Sequence, residues 1–181
     1  MPDRINTPLT NEHFAAFCQS MVGQPYWYGT CVYKCTESLR SRKAAQYPSH
    51  YGSSRTSRYR DDISKKKVCA DCVGLIKGYG WYNAETGQTE IGANDMPDIG
   101  ADTMYNNANE KGTIDTIPEI PGLAVWHEGH IGVYIGNGEV VQAANTEAGV
   151  IRNSMTDTAW THWLKIPYIH YLEETEENPS G

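Results

Sequence analysis

Residues 129–143 read GHIGVYIGNGEVVQA, two β-rich apolar runs joined by a Gly-Asn-Gly turn. This arrangement predicts a β-hairpin. If the loop has three residues, Ile135 lies opposite Glu139, and His130 and Gln142 become diagonal neighbours on one face. The other face then carries apolar residues alone, which predicts the core side of a sheet. A two-residue turn would instead put the histidine and the glutamine on opposite faces.

Strand signals fill the C-terminal part of the chain, whereas helical signals precede it. Helices are predicted over residues 11–22, from residue 71 onward and over residues 102–111. Thr10 can cap the first of these helices and Gly23 can end it. Strands are predicted over residues 123–126, 130–135, 139–144, 150–154 and 166–171. Helices followed by strands predict an α+β fold, with N-terminal helices packed on an antiparallel sheet.

The composition is typical of a soluble globular chain of single-domain size. It has 181 residues, of which 39% are hydrophobic and 20% charged. We therefore predict one domain over residues 1–172 and an acidic tail or linker over residues 173–181. No apolar run is long enough to span a bilayer, so no membrane partner is expected. The first residues lack the apolar stretch of a secretory signal, which predicts synthesis in the cytoplasm without a signal peptide.

Positive charge is concentrated in residues 31–67, which hold ten of the fifteen basic residues and only three acidic ones. The segment has little periodicity and is rich in Ser, Arg, Lys and Tyr, so a long basic insertion loop is predicted. Such a block can attract a polyanion such as nucleic acid, or it can be a solvated loop without a partner. The rest of the chain is strongly acidic, which argues against nucleic acid as the partner.

Cys72 differs from the other four cysteines because it lies at the predicted first turn of a helix. The positive end of the helix dipole favours the thiolate, which is the nucleophilic form of cysteine. This position predicts a thiol pKa below the usual value of about 8.5. A buried, inert cysteine is the alternative interpretation.

His130 and Gln142 can complete a nucleophilic site with this cysteine. In such a site the cysteine attacks a carbonyl, a histidine takes its proton, and a third polar side chain orients the imidazole. Gln142 can orient the ring through its amide oxygen but carries no charge with which to stabilise imidazolium. His127 is a competing base, but the strand pattern places it in the loop before the strand, so His130 is preferred.

Four motifs, in order along the chain, resemble those of the NlpC-type peptidoglycan peptidases. They are GQPYWYG at residues 23–29, DCVGLI at 71–76, PGLAVW at 121–126 and GHIGVYIG at 129–136, followed by a third polar residue at Gln142. Each motif is short, but four of them in the family's order make a specific signal. The sequence departs from the family at Val73, where serine is usual, and at Gln142, where histidine is commoner.

The resemblance implies a papain-like fold and a cysteine endopeptidase that cuts the peptidoglycan stem peptide, commonly next to D-glutamate. Cys72 would be the nucleophile, His130 the base and Gln142 the orienting residue, with no metal or cofactor. Candidate substrate-binding residues are Tyr26, Asp71, Val73 and His127. The basic segment suggests an anionic wall polymer as a second partner. Because the wall lies outside the cytoplasm, we expect a secreted enzyme, a phage-type lysin released at lysis or an injected effector.

Two other functions fit parts of the sequence. The pairs Cys31-x-x-x-Cys35 and Cys69-x-x-Cys72 have the spacing of a four-cysteine zinc site, as in a zinc-stabilised nucleic-acid-binding module. That interpretation uses up Cys72 and gives the histidine hairpin no role. A weaker version keeps the peptidase and joins the other three of these cysteines in a disulfide or partial metal clip. The second function is an N-acetylmuramoyl-L-alanine amidase on the same Cys-His site, which only its products distinguish from an endopeptidase.

Overall fold

The computed structural model describes residues 9–172. Within them the α-helices are α1 (Asn11–Ser20), α2 (Glu37–Gln46), α3 (Thr56–Ser64), α4 (Cys72–Trp81) and α5 (Ala101–Asn107). The strands are β1 (Cys31–Lys34), β2 (Val68–Ala70), β3 (Tyr82–Asn83), β4 (Gln88–Thr89), β5 (Lys111–Thr113), β6 (Ala124–His127), β7 (His130–Gly136), β8 (Glu139–Asn145), β9 (Gly149–Ser154) and β10 (His162–Leu164). No helix of this part of the chain is long and apolar enough to cross a membrane. The predicted tail, residues 173–181, lies outside the described residues, and the domain boundary at residue 172 stays a prediction.

The main sheet has six antiparallel strands in the order β5-β10-β6-β7-β8-β9. Helices α1 and α4 pack on one face, where side chains of β7 and β8 such as Ile131 and Val141 are fully buried. A second cluster, which includes Tyr134, Val140 and Trp160, covers the other face of the same two strands. The predicted α+β fold is confirmed, and both faces of the hairpin are buried rather than one.

The turn between β7 and β8 combines the two registers that the sequence allows. The two residues after Gly136 have φ of +55° and +75° and form a two-residue turn. A bulge next to Gly136 then shifts the ladder, so that Tyr134 pairs with Val140, the register that a three-residue loop would give. His130 and Gln142 therefore lie on the same face of the sheet.

Two elements differ from the predictions. Helix α5 ends at Asn107, and Lys111, the predicted end of that helix, begins β5 instead. The strand predicted over residues 166–171 does not form, because Pro167 has no N–H for a ladder and Tyr168 has a φ of +68°. The short strand β10, which precedes this segment, joins the sheet between β5 and β6.

Residues 31–67, called the insertion below, fold into a strand and two helices, so the prediction of a long loop is wrong. β1 and β2 pair at the two ends of the segment, with Lys34 opposite Val68. Helices α2 and α3 pack on a small separate core that consists of Trp27, Cys35, Leu39, Tyr51, Tyr59 and Cys69. The indole N–H of Trp27 donates to Asp62 Oδ2 at 2.9 Å and provides a buried polar contact in this core.

Candidate active site

Cys72 is the first residue of α4, the position that the sequence predicts for it. Asp71 caps the helix, because its Oδ1 accepts a hydrogen bond from the N–H of Gly74 at 2.7 Å. Its Oδ2 accepts from the N–H of Gly29 at 2.9 Å, which joins the helix to the segment that carries Tyr26. Both carboxylate oxygens of Asp71 are therefore engaged by backbone groups.

Gly74 allows the start of α4 to lie close to the segment in front of it. A Cβ at Gly74 would lie 1.9 Å from the carbonyl oxygen of Thr30. One turn later, a Cβ at Gly78 would lie 2.1 Å from a methyl group of Val32. The glycine of the DCVGLI motif thus serves helix packing and fixes the depth at which Cys72 sits.

The environment of Cys72 favours the neutral thiol. Burial and the neighbouring Asp71 carboxylate raise the pKa of Cys72 to about 11, although backbone N–H groups of Ile131, Val73 and Cys72 lower it. The expectation of a lowered thiol pKa is therefore wrong for the resting site, because burial outweighs the effect of the helix N-terminus. Cys72 accordingly needs a base to become a nucleophile.

His130 and Gln142 form a hydrogen bond across the hairpin. His130 Nε2 donates to Gln142 Oε1 at 2.8 Å. The amide nitrogen of the buried Gln142 donates to Thr158 Oγ1 at 3.1 Å and to Asn153 Oδ1 at 3.3 Å, so its oxygen faces the imidazole. With the proton on Nε2, His130 Nδ1 keeps its lone pair and can accept a proton. Burial lowers the pKa of His130 below its usual 6.5, which favours the neutral ring.

Trp160, to which no sequence pattern assigns a role, covers the imidazole. The rings of Trp160 and His130 are stacked, with centroids 5.3 Å apart and planes 12° apart. Gly132 makes room for the indole, since a Cβ there would lie 3.0 Å from it. Trp160 is buried, and its indole N–H has no hydrogen-bond partner within residues 9–172. Packing against Trp160 thus fixes the plane of the His130 ring and keeps its bond to Gln142 away from water.

Cys72 and His130 line the same cleft, which has a volume of about 310 Å³. The structure also brings three of the four predicted substrate-binding residues into this lining, namely Tyr26, Asp71 and Val73. Tyr28, from the same segment as Tyr26, lines the cleft as well. The arrangement places a thiol, a neutral imidazole and two phenol rings around one cleft.

His127 is the predicted substrate-binding residue that the described lining of the cleft does not include. It is the last residue of β6 rather than part of a loop, and it pairs with His130 across the β6–β7 ladder. Its ring centroid lies 5.3 Å from that of Trp160 and 5.4 Å from that of His130. His127 therefore packs beside His130, and its role in binding substrate stays a prediction.

The wall of the cleft formed by the start of α5 belongs to none of the motifs. Asp102 Oδ1 accepts from the N–H of Gly129 at 2.8 Å and from the indole N–H of Trp126 at 3.0 Å. The carboxylate thereby holds the turn directly before His130, whereas the N-cap of α5 is Gly100. In the sequence, Asp102 is only the first residue of the helix predicted over residues 102–111, which gives no indication of this contact.

The cysteines do not form the predicted zinc site. Within residues 9–172, no three His, Cys, Asp or Glu side chains are placed to hold one metal ion. All five cysteines are free thiols, and all but Cys72 are buried. Cys35 and Cys69 lie in the core of the insertion, whereas Cys72 faces the cleft. The geometry therefore contradicts the four-cysteine zinc module, and no disulfide joins any of the five cysteines in this structure.

Comparison with solved structures identifies the fold. NlpC1 and NlpC2 from Trichomonas vaginalis are similar to this chain, with TM-scores of 0.51 and 0.50 at 14% sequence identity. These matches cover 94% of this chain and 48% and 49% of the two proteins, so the chain spans about half their length. A variant of the Resuscitation Promoting Factor Interacting protein RipA matches with a TM-score of 0.50 at 15% identity, over 89% of this chain and 70% of that one. The sequence matches no protein-family model and no curated protein. The NlpC-type papain-like fold is thus evident at the level of structure.

Proposed function

We propose that this chain is a cysteine endopeptidase that hydrolyses an amide bond in the stem peptide of bacterial peptidoglycan. One observation carries the proposal: a single cleft holds Cys72, at the start of α4, and His130, which is hydrogen-bonded to Gln142. The fold is that of NlpC-type proteins. The motifs around Cys72 and His130 resemble those of peptidoglycan peptidases, which supports this substrate class.

In the proposed reaction, His130 Nδ1 takes the proton of Cys72 Sγ as the sulfur attacks the carbonyl carbon of the substrate. The resulting oxyanion accepts a hydrogen bond from the backbone N–H of Cys72, with the Tyr26 hydroxyl as the second donor. The imidazolium then gives its proton to the leaving amine, and the C–N bond breaks to leave a thioester. Water, deprotonated by His130, hydrolyses the thioester and restores the thiol.

The charge of the cleft is consistent with a peptide substrate that presents an amine. Asp71 and Asp102 line the cleft, and no lysine or arginine does so among the described residues. Both oxygens of Asp71 are engaged by backbone groups, but Asp102 uses only Oδ1 in its two hydrogen bonds. Asp102 Oδ2 therefore remains to accept a hydrogen bond from a substrate amine.

Mass spectrometry of digested peptidoglycan tests the proposal. The intact protein should release new stem-peptide amines, and Cys72→Ala should release none while its circular dichroism spectrum stays unchanged. Alanine is the residue best tolerated in a helix, so loss of the fold is not expected at this position. Free stem peptides that start at L-alanine would instead identify an amidase on the same Cys-His site. If neither protein released peptides, the proposed function would be wrong.

A peptidoglycan substrate places the reaction outside the cytoplasm, and we propose that the chain reaches the wall by secretion, release at lysis or injection. A phage-type lysin is one enzyme of this kind. The purified protein, added to bacterial cells from outside, should lower their turbidity if it works alone on an exposed wall. We further propose an anionic wall polymer as a second partner, bound by the basic insertion.

A further inference from the structure

The insertion gathers positive charge around two adjoining hollows outside the catalytic cleft. The first has a volume of about 460 Å³ and is lined by residues of β1, α2 and the β3–β4 hairpin. The second, of about 370 Å³, lies beside Cys35 and shares Lys34 and Thr36 with the first. Together they are called the basic groove, and its cationic side chains are Lys34, Arg42, Lys43, Lys66 and Lys67.

The described part of the protein offsets these charges only in part, for example through the electrostatic interaction of Asp62 with Lys67. No Asp or Glu of residues 9–172 lines either hollow. Within the same residues, Lys34, Arg42 and Lys66 form no ion pair, whereas Arg60 and Lys65, outside the groove, each pair with a carboxylate. Five cations around one groove create a positive potential that attracts anions. The groove therefore indicates an anionic ligand.

The groove is better suited to a phosphate polymer without bases than to nucleic acid. Proteins that bind single-stranded nucleic acid present aromatic faces on which the bases stack. Of the described lining residues only Tyr33 is aromatic, and it is half-buried. Other rings of the insertion and its flank already pack on each other: Tyr28 is stacked on His50 with centroids 3.7 Å apart, and Tyr51 lies tilted against Tyr59 with centroids 5.0 Å apart. A polymer of phosphodiester-linked polyols needs no stacking surface and meets the cations with its phosphates.

A short series of contacts connects the groove with the catalytic cleft. Lys43 Nζ lies 5.6 Å from the centroid of the Tyr47 ring. The Tyr47 ring packs edge-on against Tyr28, with centroids 4.9 Å apart, and Tyr28 lines the cleft beside Cys72. A ligand on Lys43 would therefore be separated from the cleft by two side chains.

We propose that the basic groove binds a phosphodiester-linked anionic polymer of the bacterial cell wall and so holds the cleft close to its stem peptides. The identity of the polymer as a wall component rests on the proposed function, whereas the preference of the groove for phosphate does not. Binding of this kind releases counterions, so the logarithm of the affinity falls by roughly 0.7 per neutralised phosphate for each tenfold rise in salt. Tethering to the wall raises the effective concentration of substrate without any new contact at Cys72.

Fluorescence anisotropy with end-labelled poly(glycerol phosphate) tests the binding. The double variant Lys34→Gln/Arg42→Gln should bind roughly tenfold more weakly than the unmodified protein and with a shallower salt dependence. The matched variant Arg60→Gln/Lys65→Gln removes the same charge outside the groove, and its affinity should change by less than roughly twofold. Equal weakening in both variants would overturn the proposal, because it would show a response to net charge alone. Tighter binding of a single-stranded oligonucleotide with the same number of phosphates would also overturn it.

Digestion of whole walls separates this proposal from that of the peptidase. The groove variant should digest polymer-bearing walls more slowly than the control variant, and the two should digest walls stripped of the polymer at the same rate. Equal rates of both variants on polymer-bearing walls would contradict the groove and leave the peptidase intact. Binding of the polymer in the groove without any digestion would contradict the peptidase and leave the groove intact.

Discussion

Gln142 determines which nitrogen of His130 is available as a base. Its amide oxygen accepts from Nε2, and Thr158 and Asn153 hold its amide nitrogen, so the imidazole proton stays on Nε2. Nδ1 is then the nitrogen that can take the proton of Cys72. A neutral amide orients the ring, but unlike a carboxylate it adds no charge that would stabilise imidazolium.

Gln142→Ala should therefore slow turnover less than His130→Ala does. Loss of the base should reduce kcat/KM by roughly 10²–10⁴-fold, whereas loss of the orienting amide leaves the base in place and should cost roughly tenfold. The measurement is kcat/KM on a soluble stem peptide, with Gln19→Ala, an exposed glutamine on α1, as the control. Equal losses would mean that Gln142 does more than orient the ring, and no loss would remove it from the site.

The pH dependence of the reaction should reflect a neutral resting pair. Burial lowers the pKa of His130 below 6.5, and burial with the Asp71 charge raises the pKa of Cys72 to about 11. Activity should fall only as the pH drops below 6.5, because imidazolium cannot take the thiol proton, and should stay level through mildly alkaline pH. Alkylation of Cys72 by iodoacetamide should keep rising with pH towards about 11. If the alkylation rate instead reached its plateau at neutral pH, and this reaction were absent from Cys72→Ala, Cys72 would already be a thiolate. That result would contradict the neutral resting pair.

At the scale of elements, two glycines set how closely the parts of the site approach each other. Gly74 brings α4 against Thr30, and Gly132 on β7 leaves room for Trp160. Both glycines belong to the motifs recognisable in the sequence, but the partners they accommodate come from elsewhere in the chain. Local motifs therefore indicate Cys72 and His130 as the candidate nucleophile and base, whereas the indole stacked on His130 follows only from the packing of the whole sheet.

Gly132→Ala should impair turnover through Trp160. A Cβ at this position meets the indole at 3.0 Å and a methyl group of Val140 at 3.1 Å, so the indole and the His130 ring stacked on it must shift. Overpacking of this kind destabilises a fold by about 1–3 kcal/mol. The thermal unfolding temperature and kcat/KM should both decrease. The control variant Gly52→Ala, whose added Cβ would have no atom within 4 Å, should change neither. Full activity in Gly132→Ala would show that the stack does not position the base.

At the scale of the whole molecule, the sequence predicted four strands of the main sheet, β6 to β9, but neither its strands β5 and β10 nor the helices of the insertion. Helix α4 and the β7–β8 hairpin have short-range apolar patterns that depend on a few neighbouring residues. Helix α2 buries only Leu39, so it has no apolar face that a periodic pattern could reveal. The core beneath it joins Tyr51 and Tyr59 to Trp27, which lies outside the insertion and well before both of them in the chain. The raised thiol pKa was missed for a similar reason, because burial depends on the assembled fold.

Asp62 links the insertion to the catalytic cleft, so its replacement by alanine should affect both stability and turnover. Trp27, between Tyr26 and Tyr28 of the cleft, donates its buried indole N–H to Asp62. Asp62→Ala leaves this donor unpaired and should lower the free energy of unfolding by about 1–3 kcal/mol. Burial raises the pKa of Asp62, so its ionised form is disfavoured in the fold, and Asp62→Asn, which keeps an acceptor, should be tolerated.

Hydrogen exchange followed by mass spectrometry distinguishes the two Asp62 variants. Asp62→Ala should exchange faster across the insertion and around Tyr26, and turnover should decrease with it. Asp62→Asn should exchange as the unmodified protein does. Unchanged exchange in Asp62→Ala would mean that the indole bond does not couple the insertion to the cleft.

The insertion leaves and rejoins the fold on two paired strands, with Lys34 opposite Val68. A segment whose ends lie side by side can change in length and composition while its flanks keep their positions. In evolutionary terms the outer part of the segment between β1 and β2 can vary as long as Asp62 keeps its bond to Trp27, and Cys72, two residues after the end of β2, lies outside the segment. Under the proposed function, substitutions in this outer part would change which wall polymer the basic groove binds without moving Cys72.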